Sequence, residues 1–568
     1  MDRAVAGASS ASASLLSLPD GLRLEAVISR RDNHVVARVR SLREASEATR
    51  QPGQATSILK CLLPPFEPGD REAFEQEFLL LNALRHPFWA RPLRFGSLAC
   101  GGRFLELLEA PGVTLQEYRE TGWSVTNFEI ARRLLSAVSA LHHLGMAHLD
   151  LSPYQVLIDP PRPAAGDAGG ALPAPGVVMF DLGLAAPFAT PLPARGTPGS
   201  IAPEILRRSP RWDARADLYG IGTLLHRLFT GRPAFVGEDL REVISLQLSG
   251  FVPHVQAEGL PLPVSELIRD LLQPDPLARP EDALAVWRRL RQAAPSEFGR
   301  GAAARLTDGA DLVFRGREEE VERFRGWLRK SGAQAPTQTA GGTTPPNLRC
   351  VARGEEGIGR RRLIDHLAAI AQVAGWSRKA APASSRLPVL LGEDGRILRF
   401  EIEDAPSAPT SPVMRASLAQ ASSVLAGDPG APLTDLRDGE LHGPVDPRDG
   451  ELHGPVDPRD GELHGPVDLR DGDLHGPVDL RGGEAHGPAP AVPGTNELRL
   501  LLGPIEPPVL ESAAAAHGVE TPRLRRFLAE EALGSPGILL ALLEALPFEL
   551  DLALPQHPGL VEGHGLPA

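Results

Sequence analysis

Cysteine is almost missing from this chain: Cys61, Cys100 and Cys350 are the only three, odd in number and far apart. Neither a disulfide framework nor a zinc site can be built from them. Aromatic residues make up only 5%, and lysine is scarce beside arginine. Long apolar runs are absent too. Nowhere do about 18 uncharged apolar residues follow one another, the length a membrane helix needs, and the late apolar stretch from Ile538 is broken by Glu544, Glu549 and Asp551. The start of the chain lacks the apolar core of a signal peptide. A cytoplasmic protein without a membrane span is therefore expected. An excess of positive charge is missing as well: the net charge is −13, whereas nucleic-acid binding needs basic surface, so no nucleic-acid partner is expected.

What is present is length and loop-forming composition. At 568 residues the chain exceeds what one core can organise and should hold two or three domains. Its 42% hydrophobic and 23% charged content is ordinary for a globular protein, but 58 glycines and 56 prolines assign part of it to loops or disorder. Residues 1–20 are small and polar, and a disordered N-terminus is expected there. Near the other end an eleven-residue unit, R-D-G-E-L-H-G-P-V-D-P, recurs in five copies from Arg437 to about Pro488. Each copy carries Gly-Pro, which breaks helix and strand alike, and too little apolar content to stack as a solenoid. The repeat is read as a low-complexity spacer. His442, His453, His464, His475 and His486 recur beside acidic residues and invite a metal-binding idea, but tandem duplication of a short coding unit accounts for their spacing.

The chemistry concentrates in H-L-D-L-S-P-Y-Q-V-L-I-D, His148 to Asp159. It follows an apolar helical run from Ala131 to Leu144 and ends in a short strand pattern, so it reads as a loop held between rigid elements, where catalytic side chains tend to sit. The spacing resembles the protein-kinase catalytic loop H-R-D-L-x-x-x-N. Asp150 stands at the base position, while Leu149 replaces the Arg, Gln155 replaces the Asn, and Ser152 stands where Ser/Thr kinases usually carry a Lys.

The flanking sequence extends the resemblance. Strand patterns L-R-L-E-A-V-I, H-V-V-A-R-V-R and S-I-L-K-C-L-L open the region, and Lys60 matches the Lys of V-A-I-K. The next helix carries Glu77, nine residues before His86-Pro87, at the place of the Glu that pairs with that Lys. Arg103 to Leu115 resembles the strand and hinge that hold adenine. Asp181 in V-V-M-F-D-L-G takes the place of the D-F-G aspartate, and G-T-P-G-S-I-A-P-E contains Thr197 and an intact A-P-E with Glu204. Asp217 and Arg279 match the residues that anchor the catalytic loop and pair with the A-P-E glutamate. Seven charged positions in this order are specific: residues 21–295 resemble the bacterial, eukaryote-like Ser/Thr protein kinases.

The resemblance implies an α+β, two-lobed kinase fold with ATP between the lobes, Mg²⁺ held by Asp181 and Gln155, and catalytic roles for Lys60, Glu77 and Asp150. His148, Thr197, Glu204, Asp217 and Arg279 would be structural or belong to the activation segment. One motif is altered: where a kinase has G-x-G-x-x-G-x-V this chain has Ser29, Arg31 and His34 at the glycine positions, with Val36 at the Val. Loss of about two charge-assisted hydrogen bonds at roughly 1.5 to 3 kcal/mol each costs on the order of 10² or more in nucleotide affinity. Arg30 and Arg31 offer themselves as phosphate contacts, but a solvated charged turn is the plainer account of them. Without the Arg at position 149 no phosphate-dependent switching through Thr190, Thr197 or Ser200 is expected. Two readings stay open: a Ser/Thr kinase of low turnover acting on a protein substrate, or a pseudokinase that binds a regulatory partner.

After a linker at 296–311, Phe314 to Leu328 and L-R-C-V-A-R-G-E-E-G-I-G-R-R-R-L-I resemble the opening of an AAA/STAND-type ATPase, an eroded α/β P-loop NTPase-like domain over 312–430. Gly354 and Gly359 fit the P-loop G-x-x-x-x-G-K-[ST], but Arg360 stands for the Lys and Arg361 for the Ser/Thr, and Arg361 cannot ligate magnesium. Nucleotide hydrolysis is not expected from this motif. Acidic partners could be Glu393 and Asp394, or Glu403 and Asp404. Ser331 to Asn347 reads as a linker or long loop, 431–492 as the repeat region, 493–555 as the helical end of the same domain, and 556–568 as a tail.

Overall fold

A computed structural model describes residues 18–42, 56–161, 174–191, 193, 195–294, 306, 314–333, 347–379, 387–392, 396–404, 497–517, 519, 522–532 and 534–545. The chain opens with strands β1 (Leu22–Arg31), β2 (His34–Ser41) and β3 (Thr56–Leu62), then helix α1 (Pro68–Leu84), then β4 (Pro92–Ser97) and β5 (Arg103–Leu108). The strands form one antiparallel sheet in the order β1-β2-β3-β5-β4. Period-two alternation sorts its faces. Val35, Val39, Leu59, Cys61 and Phe104 bury together on one side, while Val36 lies opposite Lys60 in the register of β2 and β3.

Local signals set α1. Glu67 and Asp70 form a reciprocal capping box with Pro68 at the first turn, and Arg85 ends the helix in the left-handed region at φ 41°. Phe74, Phe78 and Leu81 recur at helical spacing and bury, with Phe78 stacked on Phe95 of β4 at 5.0 Å between ring centres. Glu77 buries on the same side of the helix, among these apolar residues. That placement is explained by the site below.

A mainly helical layer follows: β6 (Val113–Thr114), α2 (Val125–His143), β7 (Met146–Ala147), β8 (Val156–Asp159), β9 (Gly176–Met179), β10 (Ala186–Pro187), α3 (Pro203–Leu206), α4 (Arg215–Thr230), α5 (Leu240–Leu248), α6 (Leu262–Leu271) and α7 (Ala283–Gln292). Ser124 caps α2 and Asp282 caps α7, each accepting a backbone N–H three residues on, and Gly231 closes α4 with φ 71°. Ile130, Leu134, Val138 and Leu141 of α2 join Leu224, Leu228, Leu267 and Trp287 in the main core. Mixed sheet and helix content of this kind is the α+β class expected from the sequence.

The later part contains α8 (Glu318–Ala333), β11 (Leu348–Gly354), α9 (Arg360–Val373), β12 (Ser377–Lys379), β13 (Val389–Leu391), β14 (Ile397–Asp404), β15 (Glu497–Leu501), α10 (Pro507–Ala516), α11 (Pro522–Glu531) and α12 (Pro536–Ala545). Its mixed sheet has the order β12-β13-β14-β11-β15. Central β11 runs parallel to both neighbours, and the β12–β13–β14 edge is antiparallel.

Three expectations are corrected. Residues 331–333 continue α8 rather than begin a linker, because Ser331 is buried and its carbonyl accepts from Arg396 Nη1 at 2.6 Å. Leu306, assigned to a linker, is 1% exposed within the main core, with its carbonyl held by Arg132 Nη1 at 3.2 Å. Residues 497–501 are a sheet strand and not part of a helical lid, since Leu498 and Leu500 alternate inward. The eleven-residue repeat and its five histidines lie outside the described residues.

Helix α9 joins the two parts. Leu363, Ile364, Leu367 and Ile370 pack in the core of the second sheet, yet Ala369 belongs to the core of the first part. Gln372 Oε1 accepts the backbone N–H of Phe95 at 3.1 Å, Arg362 Nη2 donates to the Ala83 carbonyl at 2.8 Å, and Arg85 pairs with Asp365 at 2.8 Å. The C-terminal end of α1 and strand β4 are thereby held from behind.

Candidate active site

Lys60 on β3 is one of three lysines in the chain, with Lys330 and Lys379, and the only one within residues 22–294. Its Nζ donates to Glu77 Oε2 and to Asp181 Oδ1, both at 2.7 Å. Glu77 is 1% exposed, whereas the Asp181 side chain keeps 41% of its surface open. Burial opposes the charge on Lys60, but the two carboxylates outweigh it and hold its pKa above the ordinary value. Burial likewise pushes Asp181 up, and the Lys60 ammonium reverses this to a net lowering. Asp181 sits in the left-handed region at φ 71°, a conformation a β-carbon resists.

The loop after α2 carries Asp150, and both its carboxylate oxygens are engaged. Gln155 Nε2 donates to Oδ2 at 2.6 Å, and the Thr197 backbone N–H donates to Oδ1 at 2.6 Å. Gly196 makes that approach feasible: at φ 128° a β-carbon there would lie 3.1 Å from the Leu149 carbonyl. Gln155 Oε1 is turned to Ser152, accepting its backbone N–H at 3.1 Å and its hydroxyl at 2.7 Å. Ser152 is 1% exposed. Leu149, at φ 67°, buries in the core.

The loop is fixed from beneath. Asp217 Oδ2 accepts the His148 N–H at 2.7 Å and Oδ1 the Leu149 N–H at 2.8 Å, while His148 stacks on Trp89 at 5.7 Å. Burial raises the Asp217 pKa, but these donors and His142 bring the net shift below the usual carboxylate value. Glu204 and Arg279 form a two-pronged pair, Nη1–Oε1 at 2.7 Å and Nη2–Oε2 at 2.9 Å, with side chains 6% and 0% exposed.

At the glycine-loop position β1 and β2 meet in a two-residue turn, Asp32-Asn33, with Ser29 paired to Val36 and Arg31 to His34. Ser29 and Arg31 are exposed. His34 turns inward, its ring 6.5 Å from that of Phe74. Burial, then the nearby Lys60, lowers its pKa, so it is neutral at pH 7.

The P-loop-like segment is differently arranged. Gly354 ends β11 and Gly359, at φ 91°, precedes α9. Arg360 Nη1 donates to the Gly354 and Glu403 carbonyls at 2.8 Å and to Asp404 Oδ1 at 2.7 Å. Gly537 at the start of α12 covers the loop, donating to the Gly357 carbonyl at 3.0 Å; a β-carbon there would meet the Gly357 Cα at 2.9 Å. The adjoining cavity, between Phe314, Arg317, Ile358, Val509 and Pro536, holds about 70 Å³, far below the few hundred of a typical ligand site. Arg361 does not join Arg360 at the loop and instead lines a cavity toward the first part. Glu393 and Asp394 lie outside the described residues.

Two contributors escaped the sequence reading. His142 Nε2 meets Asp217 Oδ2 at 2.9 Å, and Ser57 donates to buried Glu106 at 2.6 Å. A buried carboxylate needs several donors, which would have directed a search for the first. No spacing signal points to the second.

Comparison with known proteins covers part of this region. Residues 102–288 match the family model described as a protein kinase domain. The serine/threonine-protein kinase pkn3 of Myxococcus xanthus is 28% identical over 177 residues, 28% of this chain and 29% of that protein. PknL of Mycobacterium tuberculosis is 29% identical over 164 residues, 28% of this chain and 38% of that protein. PkaA of Streptomyces coelicolor is 31% identical over 217 residues, covering 36% and 37%. The chain thus spans about a third of the length of these relatives. Among the described residues no helix is long and apolar enough to cross a membrane. Residues 102–288 are thus similar to the protein kinase domains of bacterial serine/threonine kinases.

Proposed function

We propose that the chain transfers the γ-phosphoryl group of ATP to serine or threonine hydroxyls of a protein substrate, at low turnover. The observation that carries this reading is the Lys60 centre, with Glu77 and Asp181 both at 2.7 Å. Arginine serves almost everywhere else in this chain, including Arg360 of the P-loop-like segment, so a lysine here answers a chemical need: a compact charge that fits between two carboxylates and can turn to phosphate oxygens. Lys60 would position the α and β phosphates, Glu77 would orient Lys60, and Asp150 would accept the proton of the substrate hydroxyl. Asp181, part-open beside Lys60, fits a magnesium ligand; the ion would neutralise phosphate charge. Gln155 fits less well, its carbonyl being occupied by Ser152.

A second reading, a pseudokinase that regulates or scaffolds a partner, is favoured by one observation: both oxygens of Asp150 are already hydrogen-bonded. A substrate hydroxyl would have to displace one donor. The later part is read as a P-loop NTPase-like fold retained for structure, supported by the sealed loop at Arg360 and Gly357 and by its hold on α1.

The test is a thermal-shift titration of the full chain with ATP, with and without Mg²⁺ or Mn²⁺, followed by phosphate incorporation into a mixed protein acceptor. Ligand that binds the native state must raise its stability. A metal-dependent shift and incorporation, both lost in Lys60→Met and the second in Asp150→Asn, would support the kinase reading. A shift without incorporation would leave the pseudokinase reading, and no shift at millimolar ATP would sink nucleotide binding altogether.

A further inference from the structure

Of the nine residues of α5 only Gln247 is buried, at 1% exposure, while Leu240 keeps 65% of its surface open. On a surface helix the inward position normally goes to leucine or methionine, because an amide taken out of water must find partners for its oxygen and its two N–H groups. Gln247 finds them 46 to 48 residues away, on one short strip of chain. Its Oε1 accepts the Gly199 backbone N–H at 3.0 Å, and its Nε2 donates to the Ile201 carbonyl at 2.8 Å. Nε2 also approaches the Tyr219 hydroxyl at 3.4 Å, and the Arg279 guanidinium lies over the Tyr219 ring, 4.9 Å from its centre. Gly199 is at φ 91°, left-handed backbone that glycine adopts without strain.

The strip adjoins the proposed base. The Thr197 N–H donates to Asp150 Oδ1 at 2.6 Å, the Ser200 N–H donates to the Thr197 carbonyl at 3.0 Å, and the Glu204–Arg279 pair fixes the chain just beyond. Position 149, where an arginine could read a phosphate, is a buried leucine. The contacts of Gln247 are uncharged and need no modification to form. We propose that Gln247 is a positioning residue: it holds Gly199 to Ile201 so that Thr197 stays on Asp150 and the approach of an acceptor hydroxyl to the base is fixed, without a phosphate on the segment. This rests on the kinase reading above. With Oδ1 fixed by Thr197, the acceptor would meet Oδ2 once the Gln155 amide gives way. A leucine or methionine would fill the same volume under α5, so the burial of an amide there answers the need of the strip rather than of the helix.

The test compares the full chain with its Gln247→Met variant, which keeps the side-chain length and removes the three polar contacts. In hydrogen–deuterium exchange the peptide spanning 197–201 should exchange at least about tenfold faster in the variant, as the loss of two buried hydrogen bonds implies, with α1 and α4 unchanged. Gly199→Ala, which strains the strip from its own side, should open the same peptide, and the two changes together should add little to either, because neighbours in one network are not additive. With the mixed protein acceptor, the apparent KM for acceptor should rise about tenfold in Gln247→Met while the KM for ATP stays within about twofold. Wild-type exchange at 197–201 in a folded Gln247→Met overturns the proposal. So does a KM for ATP that rises as far as that for acceptor, which would mark a fault spread through the domain, and so does faster incorporation by the variant, which would make the strip a restraint. Exchange that rises when the wild type is treated with phosphatase would show that phosphate, and not the amide, orders the strip. Should Gln247→Met not fold, Gly199→Ala carries the same measurements. If the wild type incorporates no phosphate, the kinase reading fails, and exchange alone decides whether Gln247 holds the strip.

Discussion

Gln155 Nε2 donates to Asp150 Oδ2 across 2.6 Å, and the same amide's carbonyl is claimed by Ser152. The residue that ought to face a metal and the residue that ought to supply positive charge are bonded to each other instead. Replacing them together, Ser152→Lys with Gln155→Asn, would free the base and restore a cation beside the transferred phosphate. The expected outcome is phosphate incorporation raised by about tenfold or more, since misplacement near 1 Å costs roughly 10² in rate. Either single change should give less than the pair, because each leaves the other partner without its hydrogen bond. A rate unchanged in the folded double variant would refute this account.

Lys60 sits between two carboxylates at equal distance, a geometry a rigid planar fork cannot reproduce. Lys60→Arg keeps the charge and should still weaken ATP binding by about tenfold, short of the loss expected for Lys60→Met. Titration calorimetry with ATP and Mg²⁺ checks it. Equal affinity for the Arg variant would mean that charge alone suffices there.

The Glu204–Arg279 pair is almost fully buried. Removing one partner leaves an uncompensated charge in the core, so Arg279→Ala should lower unfolding free energy by about 3 to 5 kcal/mol. Arg279→Lys retains the charge but loses one of the two parallel bonds and should recover only part of that loss. Urea denaturation followed by fluorescence measures both.

His86 gives the folded state a pH dependence. Buried between α1 and α2, it accepts the Phe88 N–H on Nδ1 and faces Ser136 through Nε2, and burial lowers its pKa to about 3. Above about pH 6.5 the ring is neutral in both states and contributes no slope. Below that, the unfolded chain takes up a proton that the folded chain refuses until about pH 3, so stability falls between those limits by roughly 1 kcal/mol per pH unit. His86→Gln should flatten the slope of stability against pH in that window by one proton's worth. An identical slope would show that the ring is protonated when folded.

The charged skeleton was legible because its members are held at fixed separations by strands and helices of fixed rise. Lys60 on a strand, Glu77 two turns into the next helix, and Glu204 in Ala-Pro-Glu could be located by counting, and the structure brings Lys60, Glu77 and Asp181 together, and Glu204 with Arg279. Contacts across large sequence separation were not. His142 reaches Asp217 across 75 residues, and no local period carries that information. Residues 497–501 were misread because Leu498 and Leu500 alternate over too few residues for period two to stand out from the apolar helices after them. Arg361 was read from its place in a motif, but it lies about 100° round the helix from Arg360 and lines a cavity toward the first part, a placement only packing decides.

Helix α9 serves two hydrophobic cores at once, Ala369 in one and Leu363, Leu367 and Ile370 in the other. Neither core can melt while its wall stays intact in the other, so heat should disrupt both in one concerted step. Differential scanning calorimetry would then record a single endotherm for the described parts rather than two, with an enthalpy near the sum of both. A gene truncated just after α7 would strip Ala369 and Gln372 from the first core, leaving α1 and β4 with an apolar scar facing water. Such a fragment would be a poor surrogate for the whole: its aggregation would report a missing wall and nothing about whether the kinase-like fold itself is sound.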